Sequence, residues 1–352
     1  MKNPNALVGT VVAVNRSGDR GFTVELEGNR SARIDGADER AAGIAEVLGQ
    51  LQKGRKPAYL EIDPATNAIT RVRVPVVVRV QDILVDAAGD VRVRLQRSHA
   101  LPGIRRGSAD YDEVLGTLRE AKAKDDWVVL TADGPEIIDV RPYKPPWDEP
   151  PRYNDELPRP RLRWWPLRWW PWNWFRCVSK ARAQQLFDLC AAQTCNPLTV
   201  PVPCIPFMYP EDGCWARASE MCRLMILDGA KPRKVWIDGV LHAQTKNSPA
   251  CEIFWGWHVA PTLCVRKWFF CFAQEQVIDP SLFTTPVSQA TWKSVQNDPS
   301  ATLTATAHTY YASWHPSDPA YTETNSDLAT YRAALQARSL GPDGPPPYAY
   351  CP

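Results

Sequence analysis

Hydrophobic and polar residues alternate through two stretches of the first half of the chain, VVAVNRSGDRGFTVELE (11–27) and DILVDAAGDVRVRLQ (82–96), each with a Gly-Asp pair near its middle. Alternation on both sides of a turn signal predicts a β-hairpin in each. Downstream, EVLGQL (46–51) and EVLGTL (113–118) sit in helical patterns, and the pattern IxxVR then recurs at 69–73 and 137–141. The first half therefore reads as two hairpin, helix, hairpin units. It carries no cluster of catalytic type. Its one histidine, His99, lies in the loop-like RSHALPG and reads as a lone surface residue, so the half reads as a binding or scaffolding module.

The second half changes character. KARAQQLFDLCAAQ predicts a helix, with Leu186, Phe187, Leu189 and Cys190 on or near one face. A proline-rich loop, NPLTVPVPCIPFMYPEDG, leads into CWARASEMCRLMILDG, where Ala218, Met221, Cys222, Met225 and Ile226 recur at three- and four-residue intervals and Gly229 supplies a stop. Strands are predicted at VWIDGVL, IFWGWHVAPTLCV, FAQEQVID and LTATAHTYYASW, and a closing helix over DLATYRAALQARS, with Ser326 as N-cap and Gly341 as stop. The fold class read from these elements is α+β.

Between the halves, nine prolines lie from Pro142 to Pro171, a composition that suits an extended connector and disfavours helix or central strand. The expected division is a repeated α+β module at 1–142, a Pro/Trp-rich linker at 143–175 and a catalytic domain at 176–352. The linker ends in RWWPLRWWPWNWF, which reads as a belt on the following domain or as a contact surface for carbohydrate, a membrane interface or a partner.

A length of 352 residues fits two domains, and 41 basic against 39 acidic residues give a net charge of +2 that offers no electrostatic reason for a nucleic-acid partner. The N-terminus shows no continuous apolar segment of signal-peptide type, and no run of about 18 apolar residues predicts a transmembrane segment. All ten cysteines lie at or beyond residue 177. Their spacing has no CxxC and no finger-like Cys/His set, which disfavours a structural zinc site. With Cys214 kept free, at most four disulfides can form, and an exported disulfide-bearing domain is compatible with that count.

The chemistry concentrates at YPEDGCWARASEMC (209–222). Asp212 and Gly213 make a turn that places Cys214 at a helix start, where unpaired amides and the dipole favour a thiolate and can also receive an oxyanion. Without a base, a buried structural cysteine is the plainer reading. FWGWHVAP supplies His258 on one strand and VIDPSL supplies Asp279 at the end of the next, so antiparallel pairing makes them neighbours. His242, His308 and His315 lack such a setting.

QTC (193–195), Cys204, YPEDGCWARASEM, KVWIDGVL, WGWHVAP and VIDPSLFTTPV followed by Trp292 together resemble the bacterial protein-glutaminase family, over roughly the last half of the chain. The resemblance implies a papain- and transglutaminase-like domain, with the nucleophile on a helix N-terminus packed against an antiparallel sheet, that deamidates protein-bound glutamine. It implies Cys214 as nucleophile, His258 as general base and acid, and Asp279 as the residue orienting the imidazole. Arg217 also matches and is expected to hold the helix start. Ser219 departs from the family, which has histidine at that place, and bears on pocket shape. Trp215, Trp255 and Trp257 are candidates for pocket walls or for core. No metal or organic cofactor is required. A transglutaminase or cysteine protease would share the triad, and a degenerate, non-catalytic binding protein is the contrasting class. The expected partner is a protein with an exposed glutamine. A delivery machinery could engage residues 1–142, and a secreted or delivered bacterial effector is favoured over a resident cytoplasmic enzyme. Residues 1–142 would serve targeting or substrate choice, or act as an inhibitory pro-region in the Cys214 cleft.

Overall fold

The computed structural model describes residues 3–18, 21–144, 177–266 and 273–352. The Pro/Trp-rich linker, apart from its first two residues, lies outside the described residues. The first unit runs β1 (Ala6–Ser17), β2 (Gly21–Leu26), β3 (Arg30–Ile34), α1 (Ala41–Lys53), β4 (Pro57–Ile62) and β5 (Ile69–Arg73). Its antiparallel sheet has the order β3-β2-β1-β4-β5. EVLGQL falls on α1, whose Ile44, Val47, Leu48 and Leu51 pack on Val24, Leu26, Ile34 and Leu60. The second unit runs β6 (Val76–Val85), β7 (Val91–Leu95), β8 (Gly103–Ile104), α2 (Tyr111–Lys124), β9 (Trp127–Asp133) and β10 (Glu136–Pro142). It closes as a barrel in the order β10-β8-β7-β6-β9. EVLGTL falls on α2, with Val114, Leu115 and Leu118 buried against Val78, Val93 and Leu130. Each unit thus adds a third strand before its helix to the hairpin, helix, hairpin order read from the sequence.

The C-terminal region begins with α3 (Lys180–Ala191) and α4 (Cys214–Leu227) and continues through β11 (Arg233–Gln244), β12 (Glu252–Arg266), β13 (Ala273–Val277), β14 (Val287–Ser288), α5 (Gln289–Ser294), β15 (Thr302–Ala307), β16 (Tyr310–Ala312), β17 (His315–Ser317) and α6 (Thr322–Ser339). The sheet order is β14-β13-β12-β11-β15, antiparallel throughout. Met221 and Met225 of α4 join Phe187 of α3 and Leu263 of β12 in one cluster, while Trp215 and Ala218 join Trp236 and Val259 in another. Apolar residues on several faces of α4 explain why almost every residue of its first three turns is buried. Among the described residues, no helix is long and apolar enough to cross a membrane.

α6 begins earlier than the sequence predicts. Tyr321, not Ser326, is its N-cap, because the Asp318 carboxylate accepts the amides of Glu323 and Thr324 and so satisfies the first turn from outside the helix. The same helix ties the two halves together. Ala333 and Ala337 are buried in the core of the first unit, Gln336 donates to Glu46 at 2.9 Å, and Arg40 donates to the Leu340 carbonyl at 2.9 Å.

Disulfides join Cys177 to Cys264, Cys195 to Cys204 and Cys251 to Cys351. They staple the segment leading into α3 to β12, the loop before α4 to itself, and the C-terminus to the residue just before β12. Alkylation of the denatured, unreduced chain followed by peptide mass spectrometry should therefore label Cys190, Cys214 and Cys222 and leave those six unlabelled until reduction. Labelling of any of the six before reduction would contradict this pairing.

Candidate active site

Gly213 makes the turn before α4 with φ at +84°, a conformation that costs a side-chain-bearing residue dearly, and an added Cβ would collide with the Tyr331 ring. Glycine as N-cap has no side chain to offer the first-turn amides. Arg217, buried, fixes the approach by donating to the carbonyls of Tyr209 at 2.9 Å and Asp212 at 2.6 Å. This is the helix-start role expected of it.

The antiparallel pairing of β12 with β13 brings His258 and Asp279 together, and the amide of Ile278 extends the pairing by bonding to the Pro261 carbonyl at 2.9 Å. His258 Nε2 donates to Asp279 Oδ2 at 2.8 Å. Trp292 Nε1 donates to the same oxygen at 2.9 Å, and Asp279 Oδ1 accepts the Ser281 amide. Burial would raise the Asp279 carboxyl, but the His258 charge and hydrogen bond, the Trp292 indole and Arg217 together hold it below the ordinary carboxylate value. Trp255 stacks on the His258 ring at 4.6 Å between centroids, and its Nε1 donates to the Pro210 carbonyl at 3.0 Å. With Nε2–H engaged by Asp279, Nδ1 of His258 is a buried lone pair without a hydrogen-bond partner, and a ring nitrogen of His258 lies within 4.8 Å of Cys214 Sγ.

His99 is the residue that sequence reasoning missed. It is not a surface histidine but fully buried, carried into the site by the connection between β7 and β8. That connection docks as an extra strand. Ala100 bridges antiparallel to Trp255, the Leu101 amide donates to the Phe254 carbonyl at 2.9 Å, and the Gly256 amide donates to the His99 carbonyl at 2.8 Å. The His99 ring meets Trp215, Trp255, Trp257 and His258 edge to face, with centroids 5.4–6.0 Å away. Its Nδ1 lies 2.5 Å from Cys214 Sγ and 3.4 Å from the Cys214 amide nitrogen, and its Nε2 lies 3.3 Å from the Pro210 carbonyl. A carbonyl can only accept, so Nε2 carries the proton and Nδ1 presents its lone pair to the cysteine.

This closure reverses the expected thiol chemistry. Burial pushes the Cys214 thiol well above its ordinary value, although Arg217 and the Val259 amide favour the thiolate, so desolvation outweighs the helix start. Burial, with the His258 and Arg217 charges, likewise holds His99 well below the usual imidazole range and therefore neutral. Asp212, buried beside it, is pushed up to about 6 despite bonds from Ser98 and the amides of Gly213 and His99.

The remaining candidates divide. Trp215, Trp255 and Trp257 all wall the space that the His99 ring fills, and Trp215 is also anchored by its Nε1 to Asp327 at 2.7 Å. Ser219 does not join them. Its buried hydroxyl accepts from the Lys234 ammonium at 2.7 Å, an ion that burial draws down to about 8.

A protein-family model described as a glutaminase matches residues 183–296. None of the curated proteins matches the chain. Among solved structures, a crystal structure of pro-protein-glutaminase is similar, with a TM-score of 0.50 at 22% identity over 78% of this chain and 97% of that one. The NMR structure of protein-glutaminase from Chryseobacterium proteolyticum is similar at 29% identity, with a TM-score of 0.38 over 42% of this chain and 84% of that one. The first of these likenesses is one of fold, and at 78% of the chain it extends beyond the C-terminal region into the N-terminal module. The stretch that matches the glutaminase family model, residues 183–296, holds Cys214, His258 and Asp279.

Proposed function

We propose that residues 176–352 deamidate protein-bound glutamine through a Cys214 thioester, and that residues 1–142 hold this enzyme latent by seating His99 on the nucleophile. The observation that carries the reading is the His258–Asp279 bond of 2.8 Å, which leaves His258 Nδ1 as an unpartnered base beside a cysteine at a helix start. His258 Nδ1 takes the Cys214 proton as Sγ attacks the side-chain carbonyl carbon of glutamine. The Cys214 amide receives the oxyanion, the carbon–nitrogen bond breaks, and the proton on His258 leaves with ammonia. Water then gives a proton to His258 and its oxygen to the thioester carbon, which releases glutamate and returns the proton to the thiol. Asp279, held by Trp292, keeps the imidazole in the productive tautomer.

The latch imitates a carboxamide. His99 offers an acceptor, Nδ1, to the Cys214 amide and a donor, Nε2–H, to the Pro210 carbonyl, the same pair that glutamine carries as C=O and NH2. This placement favours the inhibitory reading of the N-terminal module over targeting, as does the fold likeness to pro-protein-glutaminase. The module is a duplicated pair of units, joined to the enzyme by the linker at 143–175. Three disulfides among the described residues suit an enzyme secreted or delivered out of a reducing cytoplasm.

In the full chain, His99→Ala should raise both ammonia release from a glutamine-bearing protein and the rate at which iodoacetamide alkylates Cys214 under native conditions. Unchanged rates of both would remove the latch. In that unlatched background, Cys214→Ala should abolish ammonia release with the fold retained, and residual turnover would dispose of the nucleophile. Asp279→Asn should lower turnover by about 1,000- to 10,000-fold. Trp292→Phe, which removes one charge-assisted bond to Asp279, should cost about tenfold. Wild-type rates for either variant would contradict the roles given to these side chains.

A further inference from the structure

In the closed chain, His99, Cys214 and His258 each present one donor atom, and the three atoms lie within 4.8 Å of one another, fully shielded from solvent. Both imidazoles are set for metal binding by what holds their other nitrogen. His258 Nε2–H is held by Asp279 and His99 Nε2–H by the Pro210 carbonyl, so neither Nδ1 carries a proton; that of His99 meets the sulfur and the Cys214 amide, and that of His258 has no partner. This is the outer-shell arrangement that fixes the tautomer of ligating histidines. His258 Nδ1 has no protein partner in this closed state, which leaves a buried polar atom aimed into the cluster. Two imidazoles and a thiolate form a borderline-soft donor set suited to zinc and unsuited to the oxygen-seeking magnesium or calcium.

We propose that the latched chain binds one zinc ion between His99, Cys214 and His258, so that the ion bolts the N-terminal module to the catalytic cysteine. The proposal rests on the reading of His99 as a latch. Bonds of about 2.3 Å to sulfur and about 2.0–2.1 Å to nitrogen at tetrahedral angles place the ligand atoms about 3.5 Å apart. Taking up the ion therefore parts His99 Nδ1 from Cys214 Sγ, now 2.5 Å apart, by about 1 Å and draws His258 Nδ1 in. Zinc replaces the thiol proton, which passes to solvent, and water fills the fourth position. No electron moves. Asp212, whose Oδ1 stands 3.9 Å from His99 Nδ1, and Asp279 offset the added charge. Because one of the three ligands belongs to the N-terminal module, the ion favours the closed state, and free zinc at 100 times its Kd would deepen closure by about 100-fold. Opening the module removes a ligand and releases both the metal and the enzyme.

The test uses the full chain, stripped with a chelator and titrated with zinc in competition with a chromophoric chelator, and in parallel with cobalt(II) as a spectroscopic substitute. One equivalent of cobalt should bind with tetrahedral visible bands and a thiolate-to-cobalt charge-transfer band. Both Cys214→Ser and His99→Ala should abolish the charge-transfer band and weaken zinc binding by more than about 100-fold. His99→Gln, which fills the same space with a polar group, should behave as His99→Ala does and guards against a loss caused by misfolding. Cobalt binding without a thiolate band, or no stoichiometric binding, would overturn the site. Undiminished affinity with the band intact in both His99 variants would place the ion on Cys214 and His258 alone and overturn the bolt. Alkylation of Cys214 in metal-free protein separates this from the latch itself. Faster alkylation in His99→Ala with no metal bound by wild type refutes zinc and keeps the latch, whereas unchanged alkylation refutes both.

Discussion

Everything at the catalytic end of this chain is organised by one docking event, the addition of the loop between β7 and β8 along β12. The backbone bonds of Ala100, Leu101 and Gly256 to the catalytic sheet fix that loop in register, and the register sets His99 over Cys214. An extended segment that pairs with a strand gains main-chain hydrogen bonds irrespective of sequence and uses alternate side chains for recognition. Here the recognised group is the site itself, with a ring edge toward each of three tryptophans and a lone pair toward the nucleophile.

Docking exchanges solvent for protein around several ionisable groups, and their responses share a direction. Neutral forms gain wherever the exchange leaves charge uncompensated, as with the Cys214 thiol pushed up, the His99 imidazole held down and the Asp212 carboxyl at about 6. Asp279 is the exception, because the His258 imidazole and the Trp292 indole both meet its Oδ2. Burial therefore favours the protonated Cys214 thiol, while the His258–Asp279 bond stays assembled beside it. Removal of the loop alone would restore solvent and helix-start amides to the sulfur without rebuilding anything.

The second attachment lies away from the chemistry. α6, the closing helix of the catalytic region, buries Ala333 and Ala337 in the core of the first N-terminal unit. Around it, buried Arg338 pairs with Glu211, one residue before Asp212, and Arg332 donates to the Cys204 carbonyl. This ion pair links the loop that leads into α4 to the helix that packs on the N-terminal module. The N-terminal module thus meets the C-terminal region at two places, an apolar face of α6 and the candidate active site.

Cys214, His258 and Asp279, the trio proposed as catalytic, are each marked locally in the chain: Cys214 by a turn and a helical period, His258 by a strand, and Asp279 by a strand ending at Pro280. The helices α1 and α2 were legible for the same reason, since their matched apolar positions repeat at fixed spacing. His99 carries no such mark. It sits in an irregular loop 115 residues from Cys214, and only the fold of two separate units brings it there. The start of α6 was misjudged because Asp318, outside the helical pattern, satisfies the first amides. Ser219 could not be assigned from spacing, since its partner Lys234 reaches it from a neighbouring strand. Local sequence determined which groups could do chemistry and on which elements they lie. Tertiary structure alone decided their protonation and access, because burial depends on what packs over a residue, and that is a property of distant segments.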